Sequence, residues 1–299
     1  MMIWLFSGAI TWDSKEKWKR LGGTVASERC WLLVLQRNNP LRFVSAVSRW
    51  LRIFLKTVWS NRQRKNILRC LVWNMDYWKS KYKEQGWEYI NSQDPDFCLL
   101  NECVNHSSQK SSVHYISRNS WGNGVFSKHK ISERELEFGK VHSDAISCAD
   151  LNIDGKDIIL ISLYGKMING NAISTLHRCL SDLTHLCYKK KLQKWILIGG
   201  DFNADEALDE KQRNKAHHLF FERLKDFGFY DCCKKFNKNR VRTLRHKHSD
   251  FPWQNDYLFA GKKLYDACVS SEVIDDPSLY EISDHNPIIA EFDLSLVKQ

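Results

Sequence analysis

Lys194 to Asp205 reads KWILIGGDFNAD. The apolar run from Trp195 to Ile198 has the length and the flanks of a buried strand. It leads into Gly199-Gly200, and Asp201 and Asn203 follow at once. Two glycines at the C-terminal end of a strand are expected to turn the backbone sharply and leave room for a ligand. If the chain stays extended through Phe202, Asp201 and Asn203 point the same way. Asp201 can then take a proton or hold a cation, and Asn203 offers both a donor and an acceptor. Taken alone, Gly-Gly-Asp equally describes a strand leaving into a loop, with Asp as the turn residue. The other strand ends decide between the two.

The 299 residues are 43% apolar, enough for one large core or two modest ones. A formal net charge of +10 suggests a nucleic-acid binder until its location is examined. Residues 1–66 hold 13 Lys and Arg against 3 Asp and Glu, while residues 67–299 hold 32 of each. The expected organisation is therefore a basic N-terminal extension, 1–66, on a neutral body, 67–299. The ten cysteines form no C-x-x-C pair, and Cys70, Cys98, Cys148 and Cys268 lie in or beside apolar runs. They read as small hydrophobes of a reducing, intracellular and cytoplasmic protein.

Met1 to Ile10 is apolar, but it has no basic leading segment and is too short to span a bilayer. Within residues 41–60, Phe43, Val47, Trp50, Leu51, Phe54 and Val58 recur at helical spacing. Arg42, Arg49, Arg52 and Lys56 gather on the other side, and Asn61 to Lys65 extends the charge. Such a basic amphipathic helix suits an anionic membrane surface or a nucleic-acid backbone.

In the body, Ile67–Trp73 reads as a buried strand ending in Asn74-Met75-Asp76, and residues 79–92 as an exposed helix. Phe97–Asn101 is a second strand, ending at Glu102. Short strands follow around Gly124–Phe126, Ala145–Ile153 and Ile158–Leu163, the last leaving at Tyr164-Gly165. Helices are expected over 171–188 and Lys215–Phe227. Trp253–Ala260 and Leu264–Ser270 read as a strand pair joined through Gly261-Lys262, and Ser283-Asp284-His285 precedes a closing strand. The absence of an internal repeat or a Ser- or Pro-rich linker points to one α/β domain with mixed strands, expected to be a monomer.

The ordered blocks WNMD (73–76), LLNE (99–102), SLYG (162–165), GGDFNAD (199–205), NDYLF (255–259) and SDHNP (283–287) resemble those of the endonuclease/exonuclease/phosphatase, or DNase I-like, superfamily. The resemblance runs from about Ile67 to Leu296. It implies a four-layered α/β (α+β) sandwich, two mixed β-sheets face to face with helices outside, and a site along one rim. It also implies a Mg²⁺ (or Mn²⁺) cofactor held chiefly by Glu102, helped by Asn74, Asp76 and Asp284. Asp201 matches the residue that activates the attacking water, and Asn203 the amide that donates to the phosphoryl group. His285 matches the histidine that contacts the phosphate, with Asp256 orienting its ring, and Tyr164 would bind a non-bridging oxygen.

The chemistry agrees with those residue types. Phosphodiester cleavage by water needs a cation, a base and donors for the developing charge, and carboxylates suit a hard cation. The stretch Pro252 to Tyr257 has no Arg after Asp256, which counts against an inositol phosphate substrate. Between Lys234 and Lys247 stand seven Lys or Arg and no acid. In an extended segment Arg240 and Arg242 would share a face and suit a polyanionic backbone. Three functions remain open: a metal-dependent nuclease, a phosphatase or phosphodiesterase acting on a nucleotide, lipid head group or other small ester, and a silent binding module.

Overall fold

The computed structural model describes residues 66–78, 83–104, 106, 111–116, 121–137 and 144–297. The expectations for residues 1–65, including the amphipathic helix over 41–60, lie outside the described residues. Twelve strands follow in chain order: β1 (Ile67–Asn74), β2 (Phe97–Cys103), β3 (Ser111–Ile116), β4 (Gly122–Ser127), β5 (Ile131–Glu133), β6 (Ile146–Ile153), β7 (Lys156–Leu163), β8 (Ile196–Asp201), β9 (Phe229–Asp231), β10 (Asp256–Gly261), β11 (Cys268–Val273) and β12 (Ile288–Asp293). The longer helices are α1 (Lys83–Ser92), α2 (Ile173–Asp182) and α3 (Ala216–Asp226), with short helical turns between.

The strands form two six-stranded sheets, ordered β11-β12-β1-β2-β4-β3 and β5-β6-β7-β8-β10-β9. Each sheet has one parallel pair near its middle, β1 with β2 and β7 with β8, and antiparallel neighbours elsewhere. Alternation along the strands builds the layers. Leu68, Cys70 and Val72 of β1 meet Leu160 of β7, Leu197 of β8 and Leu258 of β10 between the sheets. The intervening Leu71 and Trp73 face outward, onto Trp87 and Ile90 of α1. On the other sheet Ile159, Ile161, Ile196 and Ile198 face outward, onto Leu176 and Leu180 of α2 and Phe220 and Leu224 of α3. This is the expected order: helix, sheet, sheet, helix. Nine described cysteines are buried free thiols.

Several boundaries differ from expectation. The strand at the opening stretch runs on through both glycines to Asp201. Gly199 is there because a Cβ would sit 2.9 Å from Leu99 Cδ1 and 3.1 Å from Val72 Cγ2, across the sheet interface. At Gly200, with φ +142°, a Cβ would lie 2.1 Å from the Leu163 carbonyl. The space they spare is taken by the protein itself, not left for a ligand. Gly261-Lys262 is not a hairpin turn. Gly261 passes against the backbone of Gln193, where a Cβ would meet the carbonyl oxygen at 2.1 Å. A helical turn, Lys262–Ala267, then carries the chain from one sheet to the other. The expected partner strands β10 and β11 therefore belong to different sheets.

Strand β1 lies inside its sheet, hydrogen-bonded to β12 and β2, both of which belong to the body. Removal of residues 1–65 is accordingly expected to leave a folded domain with a single cooperative thermal transition. Circular dichroism melting of the truncated and full chains checks this, and an insoluble or non-cooperative truncation contradicts it.

Candidate active site

The sheet topology places six strand ends on one rim. Parallel β1 and β2 end at Asn74 and Glu102–Cys103, and parallel β7 and β8 end at Leu163 and Asp201. Antiparallel β10 and β12 begin where their partners finish: Asp256 is paired directly with Asp201, and Ile288 with Val72. His285, just before β12, is thus carried to the same edge.

Asp201, Asp256 and His285 are all buried there, at 1%, 0% and 6% exposure. His285 Nδ1 lies 2.7 Å from Asp256 Oδ2, and Nε2 lies 4.0 Å from Asp201 Oδ2. Burial opposes charging of the imidazole, but Asp256 and Asp201 outweigh it and raise the His285 pKa to about 10. The ring is therefore an imidazolium at neutral pH and donates from Nδ1 to Asp256. Burial lifts the Asp201 carboxyl to about 7, with His285 pulling the other way and Asp256 adding to the rise. An acid that titrates near neutrality is suited to accept a proton from water.

Asn203 does not reach the site through an extended chain. Its φ is +46° and its backbone N–H donates to Asp201 Oδ1 at 2.8 Å, so a tight turn brings it back over the carboxylate. Its Nδ2 donates to Asp201 Oδ2 at 3.0 Å and to the Gly165 carbonyl at 3.2 Å. Gly165 is pressed against Phe202, with a virtual Cβ 1.9 Å from that carbonyl oxygen, which leaves no room for any other residue.

Asn74 links this group to a second carboxylate. Its Nδ2 donates to Asp201 Oδ2 at 2.9 Å and to Glu102 Oε1 at 3.3 Å. Tyr164 also donates to Glu102 Oε1, at 2.9 Å, so its hydroxyl is engaged by the acid rather than directed at open space. Burial and the Glu102 and Asp201 carboxylates hold the phenol well above its ordinary pKa, as a permanent donor. Asp76 is buried, with φ +43° and its N–H donating to Asn74 Oδ1 at 2.9 Å. Asp284 Oδ1 is 3.9 Å from His285 Nε2. All nine residues expected at the catalytic centre therefore lie at or beside one rim.

Two donor sets could hold a cation. Asp201, Asp256 and His285 offer ligand atoms within 4.8 Å of one another. Their imidazole, however, is a cation already bonded to Asp256, and a metal ion would have to displace its proton. Glu102 is less buried, and its carboxylate, with that of Asp76 from the same rim, would offer a cation oxygen ligands in place of an imidazole. That chemistry fits Mg²⁺ or Mn²⁺ better.

A supporting shell escaped the sequence reading. Asn101, fully buried beside Glu102, accepts from the Asp201 N–H at 2.6 Å and donates to Asn123 Oδ1 at 3.0 Å. Asn123 Nδ2 donates in turn to the Ser162 carbonyl at 2.9 Å, so polar side chains tie the two sheets together beneath the site. Thr243 Oγ1 accepts from the N–H groups of Asn255 and Asp256 at 2.8 and 2.9 Å. Ser283 Oγ donates to the Asn74 carbonyl at 2.7 Å and accepts from the His285 N–H at 3.0 Å. The one available signal was an Asn inside the apolar run of β2.

The basic run behaves differently from expectation. Its start lies in the helical turn Cys232–Phe236. Arg240 forms an ion pair with Asp205, which is 0% exposed and also accepts from the Ala207 and Gln254 N–H groups. Its guanidinium is thereby committed to the fold. The backbone carbonyl of Arg242 accepts from Asn286 Nδ2 at 3.0 Å. The cation bound to the S-D-H loop is Arg245, which donates to the Ser283 carbonyl and stacks 4.1 Å over Tyr280.

No family model matches the chain. No curated protein matches it either. Solved structures do. The endonuclease domain of TRAS1, a telomere-specific non-LTR retrotransposon, aligns with a TM-score of 0.58 at 16% identity, over 75% of this chain and 98% of that one. An AP endonuclease from Archaeoglobus fulgidus aligns at 0.57 and 21% identity, over 76% and 99%. The 3′ phosphatase NExo from Neisseria, bound to a product DNA hairpin, aligns at 0.57 and 17%, over 76% and 99%. The chain has the DNase I-like fold of the endonuclease/exonuclease/phosphatase proteins.

Two substitutions test the site's construction. Arg240→Ala leaves the buried Asp205 charge without its partner and is expected to cost about 2–3 kcal/mol, measured by urea denaturation. A free, substrate-facing arginine would cost almost nothing. Asn101→Ala removes the acceptor of a buried N–H and the link to Asn123, with an expected loss of about 2–4 kcal/mol. A change below about 0.5 kcal/mol would mean the sheets do not depend on this link.

Proposed function

We propose that the chain is a divalent-metal-dependent phosphoesterase that hydrolyses phosphodiester bonds in nucleic acid. The observation that carries this reading is the convergence of a buried Asp201–His285–Asp256 group on Glu102 through the single amide of Asn74. Asp201 would accept the proton of the attacking water, in keeping with its near-neutral pKa. His285 would donate from Nε2 to a phosphoryl oxygen, while Asp256 holds the ring by Nδ1. Asn203 and Tyr164 would add donors, and both are already within reach of the two carboxylates. A divalent cation at Glu102, Asn74 and Asp76 would offset charge on the phosphoryl oxygens. The likeness to proteins described as endonucleases, and to one bound to a DNA hairpin, supports a nucleic-acid substrate.

The second reading, a phosphatase or phosphodiesterase acting on a smaller ester, is favoured by one observation. The ion pair of Arg240 with Asp205 withdraws a cation that a long backbone would otherwise contact.

Assay of the full chain on DNA, RNA, a nucleotide and a small chromogenic phosphodiester, with Mg²⁺ or EDTA, tests both. EDTA is expected to abolish hydrolysis, and Glu102→Gln to lower it at least about 100-fold while leaving the fold intact. Metal-independent turnover, or a Gln variant of near-normal rate, would overturn the assignment.

A further inference from the structure

The residues that follow β1 do more than deliver Asn74 and Asp76 to the rim. In sequence Tyr77 and Trp78 lead to Lys83, where the described structure resumes. Trp78 is 55% exposed, an uncommon placement for so large an apolar ring. Its position is well defined relative to the acid: the Tyr77 N–H donates to the Glu102 carbonyl at 3.1 Å, and the Met75 N–H to that of Asn101 at 3.0 Å. Trp78 packs edge-on against Trp121, with centroids 5.0 Å apart at 61°. Trp121 meets Tyr164 at 6.0 Å and 90°, and Tyr164 donates to Glu102. Three aromatic rings thus lead from an exposed edge to the candidate metal ligand. The Trp121 indole N–H has no hydrogen-bond partner among the described residues. Lys83 Nζ lies 3.6 Å from the Tyr77 ring centroid, which puts positive charge beside the aromatic file.

We infer that Trp78, backed by Trp121, is a stacking platform for an unpaired nucleobase next to the scissile phosphate, and that the substrate is a single-stranded or locally unpaired nucleic-acid strand. The inference rests on the proposed function and deepens it. A ring with an open face recognises a base by stacking, which no phosphate or apolar head group can do equally well. Within a duplex both faces of a base are covered by its neighbours, so the platform reads only a base that has left the stack. Lys83, over the Tyr77 ring, supplies backbone attraction that an aromatic file lacks. It also answers the commitment of Arg240 to Asp205, because charge for the strand then lies beside the platform. A neutral body with one local basic and aromatic ridge favours a short contact with a flexible strand over an extended grip on a duplex.

The test measures binding of the full chain, in EDTA, by fluorescence anisotropy of labelled oligonucleotides. Three probes are compared: a short single-stranded deoxyoligonucleotide, the same backbone made wholly of abasic residues, and the fully paired duplex. Wild-type protein is expected to bind the base-bearing strand about tenfold more tightly than the abasic one, with quenching of tryptophan emission. Trp78→Ala should bring that ratio close to one, and Trp78→Phe should restore most of it. A wild-type ratio near one overturns the inference without any variant. So does a ratio that Trp78→Ala leaves unchanged, or tighter binding of the duplex than of the single strand. Hydrolysis of the small phosphodiester by wild type with Mg²⁺ reports separately on the proposed chemistry. Loss of base preference with hydrolysis intact removes the platform alone; absent hydrolysis with base preference intact removes the phosphoesterase reading alone.

Discussion

Burying Asp201, Asp256 and His285 together is the constraint around which the rest of the rim is arranged. An isolated carboxylate moved out of water costs several kcal/mol, and two of them side by side cost more. The imidazolium of His285 offsets this, since it lies 2.7 Å from one acid and 4.0 Å from the other. What remains is met by amide donors: Asn74 and Asn203 both donate to Asp201 Oδ2, and the Asn203 N–H to Oδ1. The strands that bring these groups in end on this cluster, which explains why polar side chains gather at their termini.

The same convergence is visible in the backbone. Asp76, Glu102 and Asn203 all have left-handed φ values, of +43°, +45° and +46°. Each costs about 1–3 kcal/mol for a residue with a Cβ and persists only where the surroundings over-determine it. Here the surroundings are identifiable. Asp76 is held by the Asn74 side chain, Asn203 by Asp201, and Glu102 by a register shift between β2 and β4 that follows Leu100. Three strained residues within one site mark it as a place where geometry has been kept at the expense of stability.

The sequence was legible where chemistry and position coincide. Polar residues that close apolar runs at Asn74, Glu102, Tyr164 and Asp201, followed by Asp256 and His285 before later strands, could be read without coordinates because buried strands tolerate so few of them. Two kinds of feature were not legible. One is the glycine whose vacancy is filled by a neighbouring strand: Gly199, Gly200 and Gly261 look like turn residues, and only the opposing backbone or side chain shows otherwise. The other is the pairing of a charge with a residue far along the chain. Arg240 and Asp205 are 35 positions apart, and the run around Arg240 contains no acid to hint at the partner.

The pairing of Arg240 with Asp205 changes how charge on the body should be understood. Seven cations between Lys234 and Lys247 suggested a ridge for a polyanion, yet the structure employs several of them inside the fold. Arg240 neutralises Asp205, Arg245 holds the Ser283 carbonyl, and Lys235 caps the Tyr265 and Cys268 carbonyls at 2.6 and 2.8 Å. An arginine paired with a buried carboxylate, as Arg240 is, contributes little to a salt-dependent grip on phosphates, because its charge is already cancelled. On the proposed function, affinity for a strand would then come from a few charges close to the site and from contacts that do not depend on charge. The exposed indole of Trp78, two residues from Asp76, is placed to supply contacts of the second kind. On the proposed function, a neutral body with such a site would gain selectivity for the form of the nucleic acid at the expense of overall affinity, since stacking needs a base that is free to leave its neighbours.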